Sequence, residues 1–152
     1  MSSNFICNIR KILRRIKTLS LCEICNTEAD IHHIIHRSEG GFDIELNYKY
    51  LCPLHHRGKY GPHQSQEVDL RYKLDLQNKL FDILKKDYYS FKEVALELNI
   101  PKNTLKRITK NLKLYKEGYK KSDVILKIMG SKFYCEEMIV NLTLDKLINS
   151  IE

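Results

Sequence analysis

The sequence has no apolar run near the ~20 residues that a membrane-crossing helix needs, so a transmembrane protein is not expected. The unbroken apolar stretch of a signal peptide is also missing. Isoleucines near the start are interrupted by Arg and Lys every second or third position, which argues against secretion. An even set of cysteines is absent as well. There are five, and Cys22, Cys25 and Cys52 share one short segment with the histidines. A disulfide-stapled secreted scaffold is therefore disfavoured, and metal ligation in a reducing, cytoplasmic compartment is expected. Internal repeats and low-complexity tracts are lacking too. What is present is 152 residues, 43% hydrophobic and 30% charged, which suits one ordinary domain or two small ones and is too apolar for a disordered tail.

The net charge of +7 is unevenly spread. Residues 8–17 hold five bases and no acid, and residues 99–121 hold eight bases against the single acid Glu117. The segments 18–65, 66–98 and 122–152 net −2, −1 and −2. Two basic blocks flanking a near-neutral middle suit a polyanion gripped around a central site. Two solvated helix faces would give the same count.

Residues 1–20 read as a short basic amphipathic helix: Ile6, Ile9, Ile12, Leu13 and Ile16 recur at helical spacing with Arg10, Arg14 and Arg15 between them. Residues 21–65 are short, polar and dense in Cys, His and Gly. A fold of this kind needs a metal in place of a large core. Strands are expected around Ile31–Ile35 and Tyr48–Leu51, a tight turn at Gly40–Gly41, and a helix from Pro53. Residues 66–88 form a linking unit, with a helix expected over Val68–Lys86. From Tyr89 a helical unit follows, residues 89–152. Ser90 and Glu93 form a capping box for a helix through Leu98, and after the Asn99–Asn103 turn a second helix starts at Asn103 or Thr104 and runs to about Leu114. Cys7 and Cys135 stand apart from the metal segment and read as packing residues.

Cys22-Glu23-Ile24-Cys25 is a CxxC and Cys52-Pro53-Leu54-His55 is a CxxH. Two such knuckles supply four ligands able to close tetrahedrally on Zn²⁺, and a site filled by four protein ligands is structural. His32, His33, Asn47 and His56 are not needed for that purpose.

Taken in order, Cys22-x2-Cys25, Ile31-His32-His33-Ile34-Ile35, Gly40-Gly41 and Asn47-x4-Cys52-x2-His55-His56 resemble an HNH endonuclease of the ββα-metal type. The resemblance covers about 35 residues, under a quarter of the chain. It implies that His33 is the general base toward the attacking water, that His32 and His56 hold one catalytic divalent ion (Mg²⁺ or another), and that Asn47 holds the loop that orients His33. It departs from the common pattern in three places. His55 stands where Cys is usual, which leaves His55 and His56 interchangeable as fourth zinc ligand. Tyr48 replaces Leu, and His63 offers an extra ligand or phosphate contact. His36, also nearby, reads as a surface residue within reach of phosphate.

The helix beginning near Asn103 carries Lys102, Lys106, Arg107, Lys110 and Lys113, with Leu105, Ile108 and Leu112 roughly opposite. An apolar face fixed to a partner helix and a basic face offered to a groove are what a recognition helix needs. Asn103 and Thr104 could reach base edges, while the lysines suit phosphates. The unit resembles the helix-turn-helix modules appended to phage-borne and homing HNH enzymes. The expected fold is thus α+β: a zinc-stapled ββα module, a linking helix and a small helical DNA-binding domain. The expected function is metal-dependent hydrolysis of DNA phosphodiesters by a monomer or homodimer. The rival is a non-catalytic DNA-binding or regulatory protein that keeps the zinc module as a scaffold. An RNA target is a further alternative, since phosphate chemistry alone does not distinguish the sugars.

Overall fold

The computed structural model describes residues 20–150. The basic helix expected over 1–20, with Arg10, Arg14 and Arg15, and Cys7 lie outside the described residues apart from Ser20. Within them the fold is α+β, with five short strands and six α-helices. Strands β1 (Asp30–His33) and β2 (Tyr48–Leu51) pair antiparallel, with His33 opposite Tyr48 and Asp30 opposite Leu51. The loop between them contains 3₁₀ turns at Arg37–Glu39 and Glu45–Asn47. Helix α1 (Pro53–Arg57) follows β2 directly, with Pro53 in its first turn, where a missing N–H costs nothing.

Helix α2 (Gln66–Ile83) starts earlier and stops earlier than its apolar stripe predicts. Its N-cap is Ser65, whose hydroxyl accepts from the Val68 N–H. Beyond it the chain turns into β3 (Tyr88–Tyr89), and the Tyr89 hydroxyl accepts from the Lys86 N–H at 2.7 Å. Helix α3 (Phe91–Glu97) carries the expected Ser90–Glu93 capping box. Helix α4 spans Lys102–Thr109 rather than reaching Leu114, with Pro101 as N-cap. The basic stretch after it forms a hairpin of β4 (Leu114–Tyr115) and β5 (Gly118–Lys120), and β5 also pairs with β3. The segment expected to be purely helical therefore contains a three-stranded sheet in the order β3-β5-β4. Helices α5 (Lys121–Ile128) and α6 (Glu136–Ile148) complete it. Cys135 is the exposed N-cap of α6 and is not a packing residue.

One apolar core runs through both halves. Ile34, Ile35, Phe42 and Ile44 from the β1–β2 region join Leu76, Leu80 and Leu84 of α2, Leu105 and Ile108 of α4, and Ile125 and Ile128 of α5. Burial of each such side chain contributes about 1.5–3 kcal/mol. Across this core the Gln77 amide donates to the Tyr134 carbonyl at 2.9 Å and accepts the Tyr134 N–H at 2.8 Å. The Gly-Gly turn is built by close backbone approach, since a Cβ on Gly41 would run into the Ile35 carbonyl oxygen. Around Cys22 and Cys52 the apolar cluster is small, with Leu51, Ala29 and Tyr72 the main additions.

Candidate functional site

The two knuckles bring their ligands together. In the first, the Cys22 N–H reaches the Thr27 carbonyl at 2.8 Å and the Asn26 N–H reaches the Cys22 carbonyl at 2.9 Å, with Asn26 at φ 57° closing the turn. In the second, Cys52 caps α1 and the His56 N–H bonds its carbonyl at 2.8 Å. Cys25 Sγ and Cys52 Sγ are 3.7 Å apart, and His55 Nδ1 is 3.5 Å from Cys22 Sγ and 3.3 Å from Cys52 Sγ. A tetrahedral zinc with Zn–S of about 2.3 Å and Zn–N of about 2.0 Å has S–S edges of about 3.8 Å and S–N edges of about 3.5 Å. The four side chains stand close enough to bind one metal ion, and their spacing fits zinc. Burial pushes the Cys22 thiol up, but backbone N–H groups of Cys52, Ile24 and Cys25, with the His55 ring, outweigh it and bring its pKa to about 6. A thiolate is the form that ligates. His55, not His56, belongs to this set, which resolves the pair left interchangeable by the sequence.

A second cluster lies beside it. Ligand atoms of His32, His56 and His63 fall within 4.8 Å of one another. The His32 ring lies 5.0 Å from that of His56 and 5.2 Å from that of His63, and His56 and His63 are separated by 4.8 Å. His32 and His56 are buried, and His32 Nε2 and His56 Nδ1 have no hydrogen-bond partner. A buried polar atom left unpaired costs about 1–3 kcal/mol, so two aimed into one cluster fit a cation that would satisfy them. Burial, then the neighbouring His56, His36 and His63, pushes the His32 pKa down to about 3. Burial likewise lowers His56 and His63. Neutral imidazoles are metal ligands, and an all-nitrogen set suits Ni²⁺, Co²⁺ or Zn²⁺ better than Mg²⁺, which prefers oxygen.

Successive residues of a strand face opposite ways, so His33 points away from His32. Its Nε2 lies 2.8 Å from Asp43 Oδ1. The same oxygen accepts from Arg37 at 2.8 and 3.1 Å, and these two partners, His33 first, hold the Asp43 carboxyl below its ordinary range. An Nε2–H donated to Asp43 leaves Nδ1 as the basic nitrogen of His33. Asn47 is fully buried. Its amide donates to the Ile35 and Phe42 carbonyls at 3.0 Å each, and its oxygen accepts the Ile35 N–H at 2.7 Å. The clamp ties the chain just after His33 to the loop that carries Asp43.

Of the residues expected on the basic helix, Lys102, Asn103, Lys106, Arg107, Lys110 and Lys113 are exposed and Thr104 is half-buried. Leu105 and Ile108, on the other face, are fully buried. Lys113 lies past the helix end, its ammonium 4.7 Å from the Tyr115 ring centre. Asp43 and Asp69 carry no signal in the sequence. A carboxylate ten residues from His33, or on a helix more than thirty residues from His36, has no local pattern to mark it. Comparison of the chain with protein-family models, curated proteins and solved structures finds no match. Among the described residues no helix is long and apolar enough to cross a membrane.

Proposed function

We propose that this chain is a metal-dependent endonuclease of the HNH type that hydrolyses DNA phosphodiesters to 5′-phosphate and 3′-hydroxyl ends. The observation that carries the reading is the arrangement around β1: His32 meets His56 and His63, with a buried unpaired ring nitrogen on each of His32 and His56, while the next residue, His33, is held by a carboxylate. His33 would take the proton of the attacking water on Nδ1. Asp43 fixes that tautomer and stabilises the imidazolium that forms. Asn47 keeps Asp43 and His33 in register through the loop backbone. A divalent ion bound by His32, His56 and His63 would supply stabilisation of charge growing on the phosphate and leaving oxygen. The exposed bases of α4 supply phosphate contacts that position the duplex. A monomer with one such centre nicks one strand, and cutting both requires a homodimer or two visits.

The test is incubation of the zinc-loaded chain with supercoiled plasmid and Mg²⁺, Mn²⁺ or Ni²⁺, against an EDTA control. Metal-dependent nicking is expected. Tight DNA binding without nicking in any of the three metals would instead support the non-catalytic, scaffold-like alternative.

A further inference from the structure

His36 and Asp69 remain outside the proposed centre, yet each presents an atom that nothing satisfies. His36 follows β1, and Asp69 sits in the first turn of α2. His36 Nε2 and Asp69 Oδ1 are both buried without a hydrogen-bond partner, and they face each other at 3.8 Å. That separation is too long for a hydrogen bond. Two ligands bonded at about 2.1 Å to one ion stand about 3.0–3.5 Å apart at right or tetrahedral angles, and about 4.2 Å across it. The observed 3.8 Å falls between these values and corresponds to an angle of about 130° at such an ion.

The surroundings hold both groups ready as ligands. Asp69 Oδ2 pairs with Lys73 at 2.8 Å, so only one carboxylate oxygen is consumed. Lys73, itself buried, also takes Glu39 Oε1 at 2.7 Å. The other oxygen of Glu39 accepts the His36 N–H at 3.0 Å and lies 3.9 Å from His36 Nδ1. Glu39 thus lies on the Nδ1 side of the His36 ring, and Nε2 lies on the side of Asp69. Two carboxylates against one ammonium leave the spot net negative, which favours a cation. Ligand atoms of His32, His36 and Asp69 fall within 4.8 Å of one another, and the His36 ring stacks on His63 at 5.4 Å.

We propose that His36 and Asp69 hold a second divalent ion next to the one at His32, His56 and His63. This rests on reading that first triad as a metal site. Neutral His32 has one lone pair to give and gives it to the first ion, so the second is held by one nitrogen, one oxygen and water. A mixed set of this kind takes Mn²⁺ or Co²⁺, and its water positions can be exchanged for phosphate oxygens. Adjacent ions with open positions would clamp one phosphate between them.

The experiment is a manganese titration of the full chain already loaded with one zinc, read by metal analysis after dialysis and by electron paramagnetic resonance. The parent is expected to bind two Mn²⁺ beyond its zinc and to show a spin-coupled pair at saturation. Asp69→Asn and His36→Gln, made separately, are each expected to bind one Mn²⁺ with an uncoupled six-line spectrum. A parent that binds a single uncoupled Mn²⁺ would overturn the proposal, as would two coupled ions in both variants. The parent's own count decides if a variant fails to fold. Manganese counting is independent of cleavage: a chain that binds the pair but leaves plasmid intact contradicts the nuclease reading and leaves the pair standing.

Discussion

The guanidinium of Arg107 lies 5.9 Å from the centre of the Phe42 ring. Phe42 gives its carbonyl to Asn47 and precedes Asp43, the partner of His33. The basic helix is thus seated against the loop that carries Asp43, and under the proposed function DNA held along that helix would pass near the candidate centre. Replacing Lys106 and Lys110 together by Ala should weaken DNA binding and reduce the log–log salt slope by about two, one for each lost phosphate contact. Cleavage at saturating DNA should persist, because neither lysine belongs to the histidine cluster. Unchanged affinity and slope, measured by fluorescence anisotropy across a salt series, would make this face merely solvated.

Removing a zinc ligand should cost far more than local structure. Binding of a structural zinc contributes on the order of 10 kcal/mol to the folding of small domains. Around Cys22 and Cys52 the apolar cluster is small, so little else holds the knuckles together. Cys52→Ser should lose zinc and aggregate or lose its cooperative melt. A parent chain purified without bound metal, yet folded, would contradict the zinc assignment.

Asn47→Ala should destabilise the protein by about 3 kcal/mol, since it strands the Ile35 N–H and the Ile35 and Phe42 carbonyls in a buried loop. Urea denaturation of the zinc-loaded chain measures this. A loss below about 0.5 kcal/mol would mean that the loop does not depend on the clamp.

The capping box of α3 makes a pH prediction. The Lys86 ammonium, followed by the Ser90 N–H and hydroxyl, brings the Glu93 pKa from an ordinary 4.5 down to about 2. A carboxyl whose pKa is depressed on folding adds stability that is fully present above its unfolded value and is lost as pH falls through its folded one. Parent and Glu93→Ala should therefore differ in Tm at pH 6, and the gap should narrow from about pH 4.5 and close near pH 2. A gap independent of pH would contradict the ionic part of the cap.

The parts legible in the sequence are those that local spacing dictates. Two knuckles, the Gly-Gly turn, the Pro53 helix start and the Ser90–Glu93 box each rest on a few neighbouring residues. His55 and His56 could not be told apart because adjacent helical residues diverge by about 100°, and only the docking of α1 decides which faces the thiolates. Asp69 reaches His36 only because α2 folds back over the β1–β2 loop, a relationship without sequence periodicity. Strands β3, β4 and β5 have two or three residues each, too few to show alternation, and so the sheet within the unit expected to be helical carries no signal in the sequence.

The most direct test compares parent and His33→Ala, both verified for zinc content and for DNA affinity, in a supercoiled-plasmid nicking assay with the metal that supports cleavage. His33 belongs to neither metal cluster, so both properties should match between the two proteins. Loss of a positioned general base should slow nicking by about 10²–10⁴. A His33→Ala chain that nicks plasmid as fast as the parent would contradict the proposed chemistry.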